Sequence, residues 1–346
     1  MYELIGVNKR RKIFDININD YPKDDDVIGS LKKAAAIHKE VRRFIQPYLK
    51  PNIRLLDIAK LIEMKTKKLS NQDKSINGGI GFPASLSLNN CAAHFHPMSN
   101  DNIMFEEDDI IKIDFGTEVN GWIIDSAFTV CFDHKYDNLL AAVNDATNTG
   151  IKEAGIDVII GEWSNIIQEV MESYEIELDN VTLPIKAISN LGGHNILKGN
   201  IHGGMHLPSV DSRNNFPNTY RFKEGIYAIE TFGCCSESNE TVCYENGKPS
   251  LYRLNPKHNP YQILDNNSNM LLNKIKKNFS TLPFTDRYIE LYNINNYKQH
   301  LKTLQNNNMI LSYPPLCTKT GYSAQYEHTI YIGPNNKIVF SQSDDY

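Results

Sequence analysis

The chain has 346 residues, with 41 acidic against 36 basic side chains and a net charge of −5. That near-balance gives no global pull toward nucleic acid or an anionic membrane, and the length allows one large domain or two, with an ample core. Six cysteines, at 91, 131, 234, 235, 243 and 317, form no Cys-x-x-Cys spacing, which argues against a zinc–thiolate site and a disulfide scaffold.

Residues 1–25 read as a short polar segment, with Lys9-Arg10-Arg11-Lys12 as a solvated basic run. An apolar signal core is missing near the start, and no uninterrupted run reaches about 18 apolar residues, so a reducing, cytoplasmic setting is expected. Residues 26–46 carry Leu31, Ala34, Ala35, His38, Val41 and Ile45 on one helical stripe, and Pro47 ends it. A second helix is expected over 54–69, with Leu55, Leu56, Ala59 and Ile62 as its apolar face. Residues 70–108 read as loop-rich, with Gly78-Gly79-Ile80-Gly81-Phe82-Pro83 followed by Asn89-Asn90-Cys91-Ala92-Ala93-His94.

Residues 108–132 organise the rest. Two β-branched runs flank Asn120-Gly121, a strong two-residue hairpin signal because both residues accept positive φ. That turn sets Asp114 opposite Ala127 and makes Asp125 its diagonal neighbour on the same face. Such neighbours lie roughly 7–8 Å apart at the backbone. Two buried carboxylates so close would repel unless one is protonated or a cation joins them. The competing reading, a solvent-facing strand with two harmless aspartates, sits poorly with the Ile, Phe and Val around them.

A second helix pair follows, over 137–153 and 160–174, then a second loop-rich stretch with Asn190-Leu191-Gly192-Gly193-His194 and Ile201-His202-Gly203-Gly204, then a strand at 225–233. The order is an internal repeat. Ile110-Ile111-Lys112-Ile113-Asp114 matches Ile226-Tyr227-Ala228-Ile229-Glu230, and Asp125–Val130 matches Glu327–Ile332. The second half is thus a hairpin whose turn is replaced by residues 234–320, an insert with helical spacing at Leu271, Leu272 and Ile275 and at Tyr288, Ile289 and Leu291. Two equivalent hairpins about a pseudo-twofold axis bring Asp114, Asp125, Glu230 and Glu327 together.

Four carboxylates in one pocket call for about two divalent cations. Oxygen-rich ligation with few imidazoles and no thiolate suits Mn, Fe(II), Co or Zn in a catalytic site rather than a closed structural zinc. Two ions about 3.5–4 Å apart can activate a bridging water for hydrolysis. His94 and His194 occupy comparable loops ahead of the strands and are candidates for the cluster, with His202 close behind. Gln325 shares the Glu327 face, whereas His328 alternates to the opposite one. His38, His134, His258 and His300 are left as structural or surface residues.

These stretches, together with Asp145–Lys152, Pro314-Pro315-Leu316-Cys317 and Ala324–Ile330, resemble the type 2 methionine aminopeptidases over nearly the whole chain. The resemblance implies an α+β "pita-bread" catalytic domain over 26–346, with the helical insert at 234–320 as the type 2 feature. It implies metal ligands Asp114, Asp125, His194, Glu230 and Glu327, with Asp125 and Glu327 bridging two divalent ions. The activity implied is removal of the N-terminal methionine from nascent proteins when the next residue is small, through a hydroxide bridging the two ions. Glu230 would shuttle the proton, His94 would stabilise charge at the scissile bond and take fumagillin-type inhibitors covalently, and His202 would contact substrate. Phe82 and Ile201 would line the methionine pocket, with Tyr313 at its rim. A monomer is expected, with ribosome association open and no membrane or direct nucleic-acid partner.

The chain departs from that pattern in three places. A long Lys- and Glu-rich N-terminal extension is replaced by the short polar lead. Cys243 aligns where a pocket histidine is expected. Cys91 and Cys317 lie in segments that can approach one another, which leaves their pairing open. The alternatives are an Xaa-Pro peptidase of the same fold, normally carrying a separate N-terminal domain, and a metal-free ribosome- or RNA-binding relative, which would lose ligands that this chain keeps.

Overall fold

The computed structural model describes residues 4–5, 27–72, 77–259 and 261–344. The basic run, and all of the polar lead beyond Leu4 and Ile5, lie outside them. Four helices form where the apolar stripes place them: α1 (Val27–Ile45), α2 (Leu55–Ser70), α3 (Asp137–Glu153) and α4 (Ile160–Glu172). On α1 the stripe Leu31, Ala34, Ala35, His38, Val41 and Ile45 is buried throughout. His38 earns its place in the core by stacking on Phe115 at 4.0 Å and bonding the Phe115 carbonyl oxygen through Nε2 at 3.0 Å.

The helices cover two antiparallel sheets. The first has the order β1 (Gly78–Leu88), β2 (Ile110–Val119), β3 (Trp122–Cys131). The second is built around β4 (Gly192–Ile196), β5 (Gly225–Cys235) and β8 (Tyr322–Ile332). Two expected loops are therefore strands. β1 runs through Gly78–Pro83, whose glycines and proline hide it. It is an edge strand, and its register against β2 shifts between Ile80 and Phe82 and again between Phe82 and Ser85, which accommodates Pro83. β4 contains Gly192, Gly193 and His194, and pairs with β5.

The β2–β3 hairpin forms in the expected register, Val119 opposite Trp122 and Asp114 opposite Ala127. Asn120 and Gly121 both take positive φ, 54° and 84°. The two halves are not identical in register. Asp125 faces Gly116, two residues beyond Asp114, whereas Glu327 faces Glu230 directly. An offset of two residues preserves the face, so all four carboxylates still point to one side.

Strands β3 and β8, from different sheets, meet along a seam joined by side-chain hydroxyls. Thr329 Oγ1 accepts from the Asp125 N–H at 2.8 Å and donates to the Asp125 carbonyl at 2.6 Å. Ser126 Oγ donates to the Glu327 carbonyl at 2.7 Å. Thr129 Oγ1 donates to the Gln325 carbonyl at 2.7 Å and accepts from the Gln325 N–H at 2.8 Å.

The insert is more than helical. It holds α5 (Asn266–Asn278), α6 (Asp286–Glu290) and α7 (Tyr297–Asn306), and a sheet in which β6 (Leu251–Leu254) lies between the short strand Phe284–Thr285 and β7 (Ile310–Tyr313). It has its own core of Leu271, Leu272, Ile275, Phe284, Ile289 and Leu304, while Leu291 is 75 % exposed rather than part of the stripe. A buried bidentate pair, Arg287 Nη1 and Nη2 to Glu63 at 3.0 and 2.7 Å, fastens α6 to α2. No helix among the described residues is long and apolar enough to cross a membrane.

Replacing Thr329 with Val keeps the shape and removes the hydroxyl, leaving two buried backbone groups of Asp125 unpaired. Urea denaturation should show a loss of about 1–3 kcal/mol, and Thr329→Ser should recover most of it.

Candidate metal centre

A cavity of roughly 350 Å³ opens between the two sheets and the insert. Asp114, Asp125, His194, Glu230 and Glu327 all line it, as do Phe82, His94, Ile201, His202 and Gln325. His194 stands on β4 opposite Ala228, two residues before Glu230, and so shares the carboxylate face. Its Nε2 lies 3.4 Å from Asp125 Oδ2 and 3.7 Å from Glu230 Oε1. One ligand atom from each of Asp125, His194 and Glu327 falls within 4.8 Å of the others.

These carboxylates are held where water is scarce: Asp125 is 5 % exposed, Glu230 8 % and Glu327 1 %. Burial first, and then the charge of Asp125, push the Asp114, Glu230 and Glu327 carboxyls well above their ordinary range. Gln325 Nε2 donates to Glu230 Oε2 at 3.1 Å and partly offsets this. Asp114 Oδ1 is buried with no hydrogen-bond partner. An orphaned carboxylate oxygen beside three converging donors of hard and borderline type is what a divalent cation would satisfy. The donor set therefore fits divalent ions.

His94 follows the short strand Cys91–Ala93 and takes a positive φ of 67°, an uncommon conformation for a residue with a side chain and one that concentrates at functional sites. Its ring packs edge-on to Tyr313 at 5.9 Å between centres. Burial lowers its pKa to about 4, against the opposing pull of Asp125, so the imidazole is neutral at physiological pH. His202 packs edge-on to His194 at 4.3 Å. Tyr313 stands beside the lining rather than in it, touching His94 and, at 6.5 Å, His202.

Phe82 reaches the site because Gly116 makes room. A Cβ on Gly116 would come within 2.2 Å of the Phe82 ring, so this strand position beside the aspartates must stay bare. Cys243 does not line the cavity. It packs behind it with Ala92, Ala93, Ile188, Phe232 and Cys234, held by Asn190 through both its N–H and its carbonyl. The pocket position that the alignment assigns to a histidine is thus not filled by Cys243. Cys91 and Cys317 stand directly opposite on paired strands as free thiols.

Several lining residues carried no sequence signal. Leu251 and Pro283 come from the insert, far along the chain from the ligands. His96 lies behind His94, its Nδ1–H donating to the His94 carbonyl at 3.0 Å and its Nε2 buried without a partner. Phe232 was within reach of sequence reasoning, since it sits two residues after Glu230 and shares its face.

Comparison with known proteins follows the same line. The family model of metallopeptidase family M24 matches residues 29–254. The methionine aminopeptidase 2 of Komagataella phaffii is 46 % identical over 322 residues, 92 % of this chain and 70 % of that protein. Among solved structures, a thermophilic Arx1 superposes with a TM-score of 0.77 at 16 % identity, covering 93 % of this chain and 92 % of the other. The methionine aminopeptidase of Rickettsia prowazekii gives 0.59 at 16 % identity, over 90 % and 95 %. At such identities the structures speak for the fold alone.

Without divalent ions the crowded carboxylates bind more protons in the folded than in the unfolded chain. Their contribution is therefore favourable below about pH 4.5 and is lost as pH rises toward their raised folded values. Metal-free Glu327→Gln, which removes one of the crowded carboxyls, should melt several degrees above metal-free wild type at pH 8, and the gap should close toward pH 4.5 in thermal scans.

Proposed function

Since the chain belongs to metallopeptidase family M24, on its methionine aminopeptidase 2 branch, we propose that Asp114, Asp125, His194, Glu230 and Glu327 hold two divalent ions, Asp125 and Glu327 shared between them. The activity is that of the branch, metal-dependent hydrolytic removal of an N-terminal methionine. The observation that carries the ligand assignment is the convergence of Asp125, His194 and Glu327 ligand atoms within 4.8 Å in a nearly dry pocket. Divalent ions bound there would polarise the first peptide carbonyl and lower the pKa of a water nucleophile.

The chain's own residues do the rest. Glu230, steadied by Gln325, takes the proton of the attacking water and returns it to the leaving amine nitrogen. His94, neutral and held against Tyr313, hydrogen-bonds the substrate at the scissile bond as charge develops there. His202 contacts the substrate from the other side. Phe82 and Ile201, with Phe232 and Leu251, form the apolar surface that receives the methionine side chain. Residues 26–346 act as one catalytic unit, with the 234–320 insert closing one wall of the cleft.

The finer picture belongs to the same proposal: a cytoplasmic monomer acting on nascent polypeptides, able to associate with ribosomes, and alkylated at His94 by fumagillin-type epoxides. The working metal is one of Co, Mn, Fe(II) or Zn.

The test is cleavage of Met-Ala-Ser against an Xaa-Pro peptide by apo-protein titrated with each metal in turn. Preference for Met-Ala-Ser supports the reading, and preference for the Xaa-Pro substrate overturns it. Asp125→Asn should lose at least one ion per chain by elemental analysis. His94→Ala should keep the metal content, cut turnover by roughly 100-fold or more, and show no mass adduct with the epoxide. Because His94 is already neutral, wild-type labelling should vary little between pH 6 and pH 8.

A further inference from the structure

One charged side chain at the edge of the cleft is half-buried without the partner such a group ordinarily requires. Arg253 stands on β6 two residues after Leu251, and so on the same face. Leu251 pairs with Tyr313 across β7, and Arg253 with Leu311. Leu251 lines the cavity and Arg253 lies one step beyond the lining, so this wall grades outward from apolar to cationic.

The guanidinium is held in place by neutral groups. Its central carbon lies 5.8 Å from the centre of the Tyr313 ring, and Nη1 donates to Asn200 Oδ1 at 3.1 Å. Asn200 precedes Ile201 and His202, both of which line the cavity. The Nε–H is buried and has no hydrogen-bond partner. Among the described residues no carboxylate pairs with Arg253. A half-buried planar cation fixed over an aromatic ring, with no carboxylate beside it among the described residues, is pre-organised for an acceptor.

We propose that Arg253 is a substrate-binding residue on the leaving side of the scissile bond, donating to main-chain carbonyl oxygens of the peptide beyond its first residue. This rests on the aminopeptidase reading given above. The carbonyl is the acceptor that every protein N-terminus presents there, whatever its side chains. Tyr313 orients the guanidinium plane, and Asn200 fixes it to the loop that carries Ile201 and His202.

The experiment compares Arg253→Met with wild type on Met-p-nitroanilide, which has no carbonyl beyond the bond cleaved, on Met-Ala-Ser-amide and on Met-Ala-Ser. For both tripeptides kcat/KM should fall roughly 10- to 100-fold, mainly through KM, as expected for a lost hydrogen bond to a charged group. For the anilide it should stay within about twofold of wild type. Arg253→Lys should recover part of the loss. The ratio between substrates on one preparation is independent of how much of the variant is folded. Equal losses on anilide and peptide would mean that Arg253 only supports the Asn200 loop, and would overturn the proposal. So would no loss, or a loss confined to the peptide with a free carboxylate. Wild type that cleaves none of the three substrates would refute the aminopeptidase reading itself.

Discussion

Like charges do not gather in a dry pocket unless something holds them there. Here the restraint is the hydroxyl seam between β3 and β8. Thr329 clasps the Asp125 backbone from both sides, Ser126 reaches the Glu327 carbonyl, and Thr129 is bonded to the backbone of Gln325. Asp125 and Glu327 are themselves candidate ligands, and Gln325 is bonded to a third, Glu230. The seam therefore sets the separation of the two carboxylates proposed to be shared between ions. Its hydrogen bonds are buried, so the low local dielectric strengthens them and makes their loss costly. The mutual repulsion of the carboxylates is the other side of the same geometry, and a bound cation would turn that repulsion into attraction.

The two halves and the insert divide the work. The halves supply the carboxylates and His194, all on regular strands, where positions are held more rigidly than on loops. His94 is placed differently, by a strained left-handed backbone at the end of a three-residue strand. The insert contributes no candidate ligand and closes the apolar wall through Leu251 and Pro283. It can do so only if it is fastened to the body. The buried Arg287–Glu63 pair meets that need, since α2 and α6 are more than 200 residues apart in sequence. Breaking such a pair on one side leaves an unpaired buried charge, a cost of about 3–5 kcal/mol. Shape at the wall proposed to receive methionine thus depends on an ion pair remote from the chemistry.

Much of this was legible in the chain. The α1 stripe, the Asn120-Gly121 turn and the Asp114–Ala127 register follow from period and turn chemistry, and they appear as expected. The internal repeat was readable because it pairs Asp114 with Glu230 and Asp125 with Glu327. What escaped was structure written in residues that ordinarily break it. β1 contains three glycines and a proline, and β4 opens on two glycines, so neither has strand-like composition. Both are strands because a neighbour of stronger β character, β2 or β5, offers them a ladder. The β4 glycines serve packing instead: a Cβ on Gly192 would meet the Leu207 carbonyl and one on Gly193 the Ala228 carbonyl, which no local pattern announces. Cys243 failed for a different reason. An alignment matches residue positions and carries no information about which way a side chain points.

The amino-acid sequence alone decided which chemistry is available, because acidic and imidazole side chains at strand-like spacing in two repeated halves can serve few ends other than holding cations. It also decided the local elements, since helical and strand periods are short-range properties. Tertiary structure alone decided the distances: that Glu327 faces Glu230 directly while Asp125 is displaced by two residues from Asp114, that hydroxyls rather than a backbone ladder join the halves, and that Arg253 ends at the rim beside Tyr313 and Asn200. Those facts depend on contacts between segments far apart in the chain, and such contacts are settled by packing the whole core at once.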